Sequence, residues 1–101
     1  MDKNYFAAKS FSISFRFIGI IPYVYLEDKK VLIQLNEVGG FILNLVNGKR
    51  KISEIMFNCV QNYEGSVKEI EDSVYDFLLI LNQEGIVVFS NKQFQEEMCD
   101  D

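Results

Sequence analysis

The sequence has no histidine and only two cysteines, Cys59 and Cys99. Two cysteines are too few for a disulfide framework, and without histidine they are too few for a zinc site. The chain also lacks a glycine-rich phosphate loop and a nucleophile with a suitable base. These absences argue against an enzyme, and no metal or cofactor is expected.

Long apolar runs are absent as well. The longest charge-free apolar stretch, Phe17–Leu26, contains Gly19 and Pro22 and is well short of the roughly 20 residues that span a bilayer. Lys9 and Arg16 interrupt the apolar run that a signal peptide would need. The sequence therefore predicts a cytosolic protein with no membrane partner.

What is present is material for one folded core. The chain has 101 residues, of which 49% are hydrophobic and 25% are charged, with nine Phe and five Tyr. This length suits a single domain, and this composition lies outside the disordered class.

Charge is divided unevenly along the chain. Residues 1–52 contain eight basic and four acidic side chains, whereas residues 53–101 contain two basic and eleven acidic ones. The halves therefore have net charges of +4 and −9, and the whole chain has −5. An acidic chain repels phosphate backbones, so nucleic acid is a disfavoured partner.

Three strands are predicted in the first third of the chain. Residues 10–17 alternate between polar and apolar side chains, which is the period of a half-buried strand. Tyr23–Leu26 and Val31–Leu35 are rich in β-branched and aromatic residues, and a four-residue turn separates them. These two segments are expected to form an antiparallel hairpin.

Helical spacing replaces this pattern from Asn36 onward. The first helix is predicted over residues 36–47 with Asn36 as its N-cap, and the second over residues 53–63. The third is predicted over residues 66–84, opened by a capping box at Ser66 and ended by a glycine. A short strand at residues 86–89 and an acidic tail follow.

The order of elements predicts an α+β fold. An N-terminal antiparallel three-stranded sheet is followed by a three-helix winged-helix-like unit with a short C-terminal strand. Cys59 lies in the apolar stripe of the second helix and is interpreted as a buried hydrophobic residue, whereas Cys99 lies in the tail and is expected to be exposed.

Gly39 and Gly40 are unusual inside the first helix, because each costs roughly 1 kcal/mol relative to alanine. Their presence indicates that another group approaches this turn closely. Close packing of the helix on a strand is the first explanation, and the approach of a ligand to the backbone is the second.

Three blocks of the sequence resemble the PqqD-like family, the RiPP recognition elements that bind leader peptides of ribosomally made, post-translationally modified peptides. The blocks lie within residues 23–88, about two-thirds of the chain, and Lys51 stands where the family commonly has threonine. The matching residues are Val31, Leu35, Asn36, Glu37 and Gly39, then Leu45, Gly48, Arg50, Ile52, Glu54 and Ile55, and finally Val74, Phe77, Leu78, Leu81, Gly85, Ile86 and Val87.

The resemblance implies a division of the chain and a function. Residues 1–22 would be an N-terminal extension with an extra strand, residues 23–90 the peptide-recognition domain and residues 91–101 an acidic tail. The implied function is that of a non-catalytic peptide chaperone, which binds the leader by β-strand addition and presents it to a modifying enzyme. That enzyme would be a radical SAM maturase, a cyclase or a leader protease.

The implied peptide-binding residues lie on the third strand and on the third helix. The residues themselves permit this, since an unpaired strand edge offers backbone donors and acceptors and spare apolar positions on the helix offer anchors. They are Lys30, Val31, Leu32, Ile33, Gln34, Leu35, Val74, Tyr75, Leu78 and Leu79.

Alternative roles stay open for several of these positions. Val74 and Leu78 also suit the core, and Lys30 also suits a solvated turn, although at the mouth of a groove it would attract leader carboxylates. Tyr75 and Leu79 are the more diagnostic pair, because they lie four positions apart and off the main core stripe.

The predicted N-terminal strand presents four large apolar residues on one face, and that face needs a cover. The candidates are the helices of the same domain, a second protomer in a homodimer, or the leader's own slot through strand exchange.

Two other functions compete with leader binding. A winged-helix transcription regulator has the same element order, but the third helix has one lysine against five acidic residues, which disfavours DNA. A structural adaptor protein differs from a recognition element only in what fills the groove.

Overall fold

The computed structural model describes residues 3–94. The elements in chain order are β1 (Phe6–Lys9), β2 (Ile13–Ile18), β3 (Ile21–Leu26), β4 (Val31–Gln34), α1 (Glu37–Leu45), β5 (Arg50–Lys51), α2 (Ile52–Asn62), α3 (Val67–Gln83) and β6 (Val87–Ser90). The predicted fold class is confirmed, with the antiparallel sheet first, three helices next and a short strand after them.

The first sheet is the antiparallel meander β2–β3–β4. Ile13 lies opposite Leu26 in the β2–β3 pair, and Tyr23 lies opposite Gln34 in the β3–β4 pair. The predicted hairpin is therefore confirmed. Within residues 3–94, β2 and β4 each pair on one side only, so both outer edges of this sheet are open.

The boundary predicted for the first of these strands was wrong. Residues 10–12 lie in the turn that precedes β2, where the hydroxyl groups of Ser10 and Ser12 are 3.0 Å apart. Phe11 is 73% exposed at this turn. The alternation of polar and apolar residues extends through this turn, in which the two serine side chains contact each other. The pattern therefore could not show where the strand begins.

A second sheet, β5–β1–β6, was not predicted. Here β1 pairs antiparallel with β6 along its whole length and with the short strand β5. Ala7 and Ala8 are buried in β1, and residues 3–22 therefore contribute to both sheets.

The helices have the caps that their sequences predict. The side chain of Asn36 accepts a hydrogen bond from the Gly39 N–H at 2.7 Å, and that of Ser66 accepts from the Glu69 N–H at 3.4 Å. Gly85, with φ of +79°, follows α3 in the left-handed conformation that lets a helix end.

The core lies between the two sheets and the three helices. Its largest fully buried side chains are Leu43, Ile52, Ile55, Leu78, Val24, Val46, Val87 and Cys59. The two glycines of α1 indicate that another group approaches the helix closely, and at Gly40 this group is a strand. A Cβ on Gly40 would lie 2.4 Å from Cγ of Pro22 on β3. Close helix–strand packing therefore explains Gly40.

Candidate functional site

The outer edge of β4 presents backbone groups that no strand within residues 3–94 uses. The Leu35 N–H donates to the Pro22 carbonyl at 2.9 Å, so Leu35 lies at a hydrogen-bonded position of the β3–β4 ladder, although Pro22 has no N–H to form the second bond of the pair. Paired residues in an antiparallel ladder alternate between bonded and non-bonded. Val31 and Ile33 therefore also bond to β3, and the N–H and C=O groups of Leu32 and Gln34 point outward.

The hydrogen bonds between β2 and β3 lead to the same assignment of bonded and non-bonded residues. The Glu27 N–H donates to the Ser12 carbonyl at 3.0 Å, so the odd-numbered residues of β3 bond to β2. Its even-numbered residues must then bond to β4, as the Pro22 carbonyl does. The two bonds agree that Leu32 and Gln34 are the residues available to an added strand.

Helix α3 lies beside this edge, and residues of α3 come close to the chain just before β4 and just after it. Nζ of Lys29, in the β3–β4 turn, is 3.9 Å from a carboxylate oxygen of Glu84. At the other end, a Cβ on Gly39 would lie 3.2 Å from Cζ of Phe77 and 3.6 Å from Cβ of Leu35. The chain leaving β4 and the ring of Phe77 thus meet at one point.

One side of α3 therefore faces the open strand edge. At 3.6 residues per turn, Ser73, Phe77, Ile80 and Glu84 lie on the same side of the helix. We call the space between this side of α3 and the outer edge of β4 the β4–α3 groove. Its apolar lining includes Val31 and Ile80, which are 43% and 54% exposed, whereas the side chain of Leu32 projects to the opposite face of the sheet.

The predicted strand residues lie where they were expected. Val31, Leu32 and Gln34 are exposed on β4, and Ile33 and Leu35 are half-buried against the core. Lys30 is exposed in the β3–β4 turn with φ of +58°. It is Lys29, however, that pairs with Glu84 at this mouth of the groove.

The predicted helix residues lie elsewhere than the open edge. Val74 and Leu78 are buried in the core. Tyr75 and Leu79 are half-buried on the opposite flank of α3. On that flank, a carboxylate oxygen of Glu71 lies 4.0 Å from Nζ of Lys3, and the side-chain amide of Asn82 donates to the Val87 carbonyl at 2.9 Å. The structure does not bring Tyr75 and Leu79 to β4.

Phe77 and Ile80 were absent from the predicted site, although both are apolar. Phe77 lies on the apolar core face of the helical pattern, which favours a packing role. Ile80 extends the apolar surface of α3 on one side as Leu79 does on the other. Helical periodicity does not tell which of these flanks faces the strand, so no sequence signal could separate them.

A pocket of about 380 Å³ has Phe77 in its lining, and we call it the helical pocket. It lies between the start of α1, the end of α2 and the first half of α3. Its lining residues are Asn36, Val38, Gly39, Ile42, Cys59, Tyr63, Glu64, Gly65, Glu69, Ile70, Ser73, Val74 and Phe77.

Two titratable groups of this pocket, the Cys59 thiol and the Tyr63 phenol, have raised pKa values and are neutral at neutral pH. Burial raises the pKa of the Cys59 thiol from 9.0 to about 11. Burial also raises the pKa of Tyr63, with further contributions from the negative charges of Glu37 and Cys59. Cys59 is therefore an inert thiol at neutral pH, and Tyr63 keeps its O–H as a donor.

The buried thiol predicts how stability depends on pH. The free energy of unfolding should fall as the pH rises from about 9 to about 11, because the unfolded thiol ionises there and the folded one does not. Urea titrations across this range measure the slope. Cys59→Ala should make the slope shallower, and an identical slope in both proteins would contradict the assignment.

An open strand edge beside an apolar groove is an arrangement by which proteins bind extended peptides. Among residues 3–94, no three His, Cys, Asp or Glu side chains are grouped so that they could hold a metal ion. No helix in the described part of the chain is long and apolar enough to cross a membrane.

Comparison with known proteins identifies the family. Residues 23–87 match the family described as Coenzyme PQQ synthesis protein D (PqqD), and the chain belongs to this family. The solved structure described as TbiB1 in complex with the TbiA(beta) leader peptide has the same fold, with a TM-score of 0.70 and 21% sequence identity. The match covers 78% of this chain and 93% of that one. No curated protein matches the chain.

Proposed function

We propose that this protein is a RiPP recognition element: it binds the leader of a ribosomally made precursor peptide and presents it to a modifying enzyme. The observation that carries the proposal is the open edge of β4 beside an apolar flank of α3. Membership of the PqqD family and a shared fold with a protein solved in complex with a leader peptide support it.

The leader is added to β4 as an antiparallel or parallel strand. The N–H and C=O groups of Leu32 and Gln34 supply up to four backbone hydrogen bonds, each contributing about 0.5–1.5 kcal/mol net. Association costs an estimated 4–15 kcal/mol in lost freedom, so these bonds alone do not hold the complex. Apolar side chains must contribute the difference.

The anchors for those side chains are on α3. Alternate residues of an added strand project to the same face as Ile33, which is the inner face of the sheet. Phe77 and Ile80 lie on the flank of α3 that borders this space. Burial of apolar area contributes about 25 cal/mol per Å², so covering Val31 and Ile80 gives more than any single hydrogen bond.

Tyr75 and Leu79 define a second arrangement, in which the leader binds on the other flank of α3. Their role in binding stays a prediction, and a pair of variants separates the two flanks. Ile80→Asp and Leu79→Asp place the same charge on neighbouring residues of one helix, one on each flank.

The experiment is a fluorescence anisotropy titration with the labelled leader of a precursor peptide encoded beside this gene. Ile80→Asp should weaken binding at least about tenfold, because it leaves a carboxylate in the apolar groove. Leu79→Asp should change the affinity less than threefold. The opposite order would move the site to the flank of Tyr75 and Leu79, and no binding by the wild type would overturn the proposal.

Several finer parts of the proposal stay predictions. The modifying enzyme is a radical SAM maturase, a cyclase or a leader protease, and the protein itself needs no cofactor and has no catalytic role. Its site of action is the cytosol, where precursor peptides are made. The division at residues 22 and 90 and the homodimer through the N-terminal strand also stay predictions. The open edge of β2 is compatible with that dimer.

A further inference from the structure

The helical pocket lies next to the end of β4. Asn36 and Gly39 line the pocket and follow Gln34, the last residue of β4, within five positions, and Phe77 lines the pocket and lies beside Gly39 and Leu35. A strand advances about 3.3 Å per residue. A peptide that pairs with Leu32 and Gln34 therefore reaches the mouth of the pocket within a few residues.

The walls of the pocket are apolar. Val38, Ile42, Ile70 and Phe77 are apolar residues of the lining, and the volume of about 380 Å³ suits a large side chain. The absence of a side chain at Gly39 keeps this space open, since a Cβ there would lie 3.1 Å from Oδ1 of Asn36 and 3.2 Å from Phe77. Close packing on β3 does not explain this second glycine.

The rim of the pocket is acidic. Glu64 and Glu69 line it and are exposed, and the negative charge of Glu37 is close enough to raise the pKa of Tyr63. No lysine or arginine lines the pocket, and in the described chain none of these three carboxylates forms an ion pair. A cationic occupant would complement this rim.

We infer that the helical pocket selects leaders in which an apolar anchor residue lies next to a lysine or arginine, a few residues from the segment that pairs with β4. The inference rests on the proposed function and adds the class of peptide. The anchor fills the space between Val38, Ile70 and Phe77, and the neighbouring cation lies between Glu64 and Glu69.

A displayed library of random peptides tests the inference without knowledge of the natural leader. Panning against the wild-type protein should enrich peptides with a β-forming segment and, at a fixed spacing from it, an apolar residue beside Lys or Arg. A synthetic peptide of the enriched sequence then serves as the probe for titrations.

Two double variants with the same change in net charge separate the effect of the rim carboxylates on binding from the effect of the overall charge. Glu64→Lys with Glu69→Gln should weaken binding of the probe about tenfold, and less at high salt. Asp72→Asn with Asp76→Lys changes exposed residues of α3 outside the pocket and should leave binding within about twofold. Thermal melts confirm that both variants fold.

The outcomes distinguish the inference from the function on which it rests. Enriched peptides without a cation, or equal weakening by the two charge variants, would overturn the inference and leave strand addition intact. If panning enriches no peptide whose binding depends on the edge of β4, as tested with Leu32→Pro, the proposed function fails as well.

Discussion

Leu32→Pro should abolish most of the leader binding while the protein stays folded. The N–H of Leu32 points away from β3, so the proline ring removes a donor that only an added strand would use. The ring also fills the space that the leader backbone would occupy. Loss of one bond together with this steric block should weaken binding well beyond tenfold.

Two further variants make this prediction specific to the strand edge. Leu32→Ala removes the exposed side chain and keeps the N–H, so it should bind far better than Leu32→Pro. Ile33→Pro removes a donor that bonds to β3 and should destabilise the fold by about 3 kcal/mol or more. Anisotropy and urea titrations measure the two effects. If Leu32→Pro unfolds the protein and Ile33→Pro does not, the assignment of outward-pointing and β3-bonded residues in β4 is wrong.

Gly40→Ala should lower the free energy of unfolding by about 1–3 kcal/mol, although alanine is the better helix former. The added Cβ would lie 2.4 Å from Cγ and 2.7 Å from Cβ of Pro22. Neither atom can move away easily, because Pro22 lies in β3 and its ring restricts the backbone. Helix α1 must then shift off the sheet.

A double-mutant cycle with Pro22→Gly identifies the cause of this loss. Pro22→Gly removes the three atoms that would lie nearest to the new Cβ, so Gly40→Ala should cost less in that background by about 1 kcal/mol or more. Urea denaturation of the four proteins gives the coupling. A neutral or stabilising Gly40→Ala in the wild type would show that the helix and strand are less closely packed than described.

Local chemistry made most of the fold predictable. The caps at Asn36 and Ser66 mark two helix starts because their side chains satisfy particular backbone N–H groups, and both bonds are present. The hairpin of β3 and β4 was predicted for the same reason, since two β-rich segments flank a short polar turn. These signals depend only on neighbours in the sequence.

The rest depends on contacts between distant parts of the chain. Strand β1 contains Ala7 and Ala8, which have little intrinsic preference for strands, and it is a strand because it pairs with β5 and β6. The flank of α3 that faces β4 is likewise set by how the helix packs. The open strand edge could be predicted, whereas Phe77, Ile80 and the helical pocket required the three-dimensional arrangement.

The pairing of β1 with β6 affects the order of events during synthesis. Phe6–Lys9 are translated before all three helices, and their main partner, Val87–Ser90, is translated after them. Until then only the two-residue strand β5 can pair with them. Such distant pairing is slow because a long loop must close first. The nascent chain therefore cannot complete its second sheet until Val87–Ser90 have been translated.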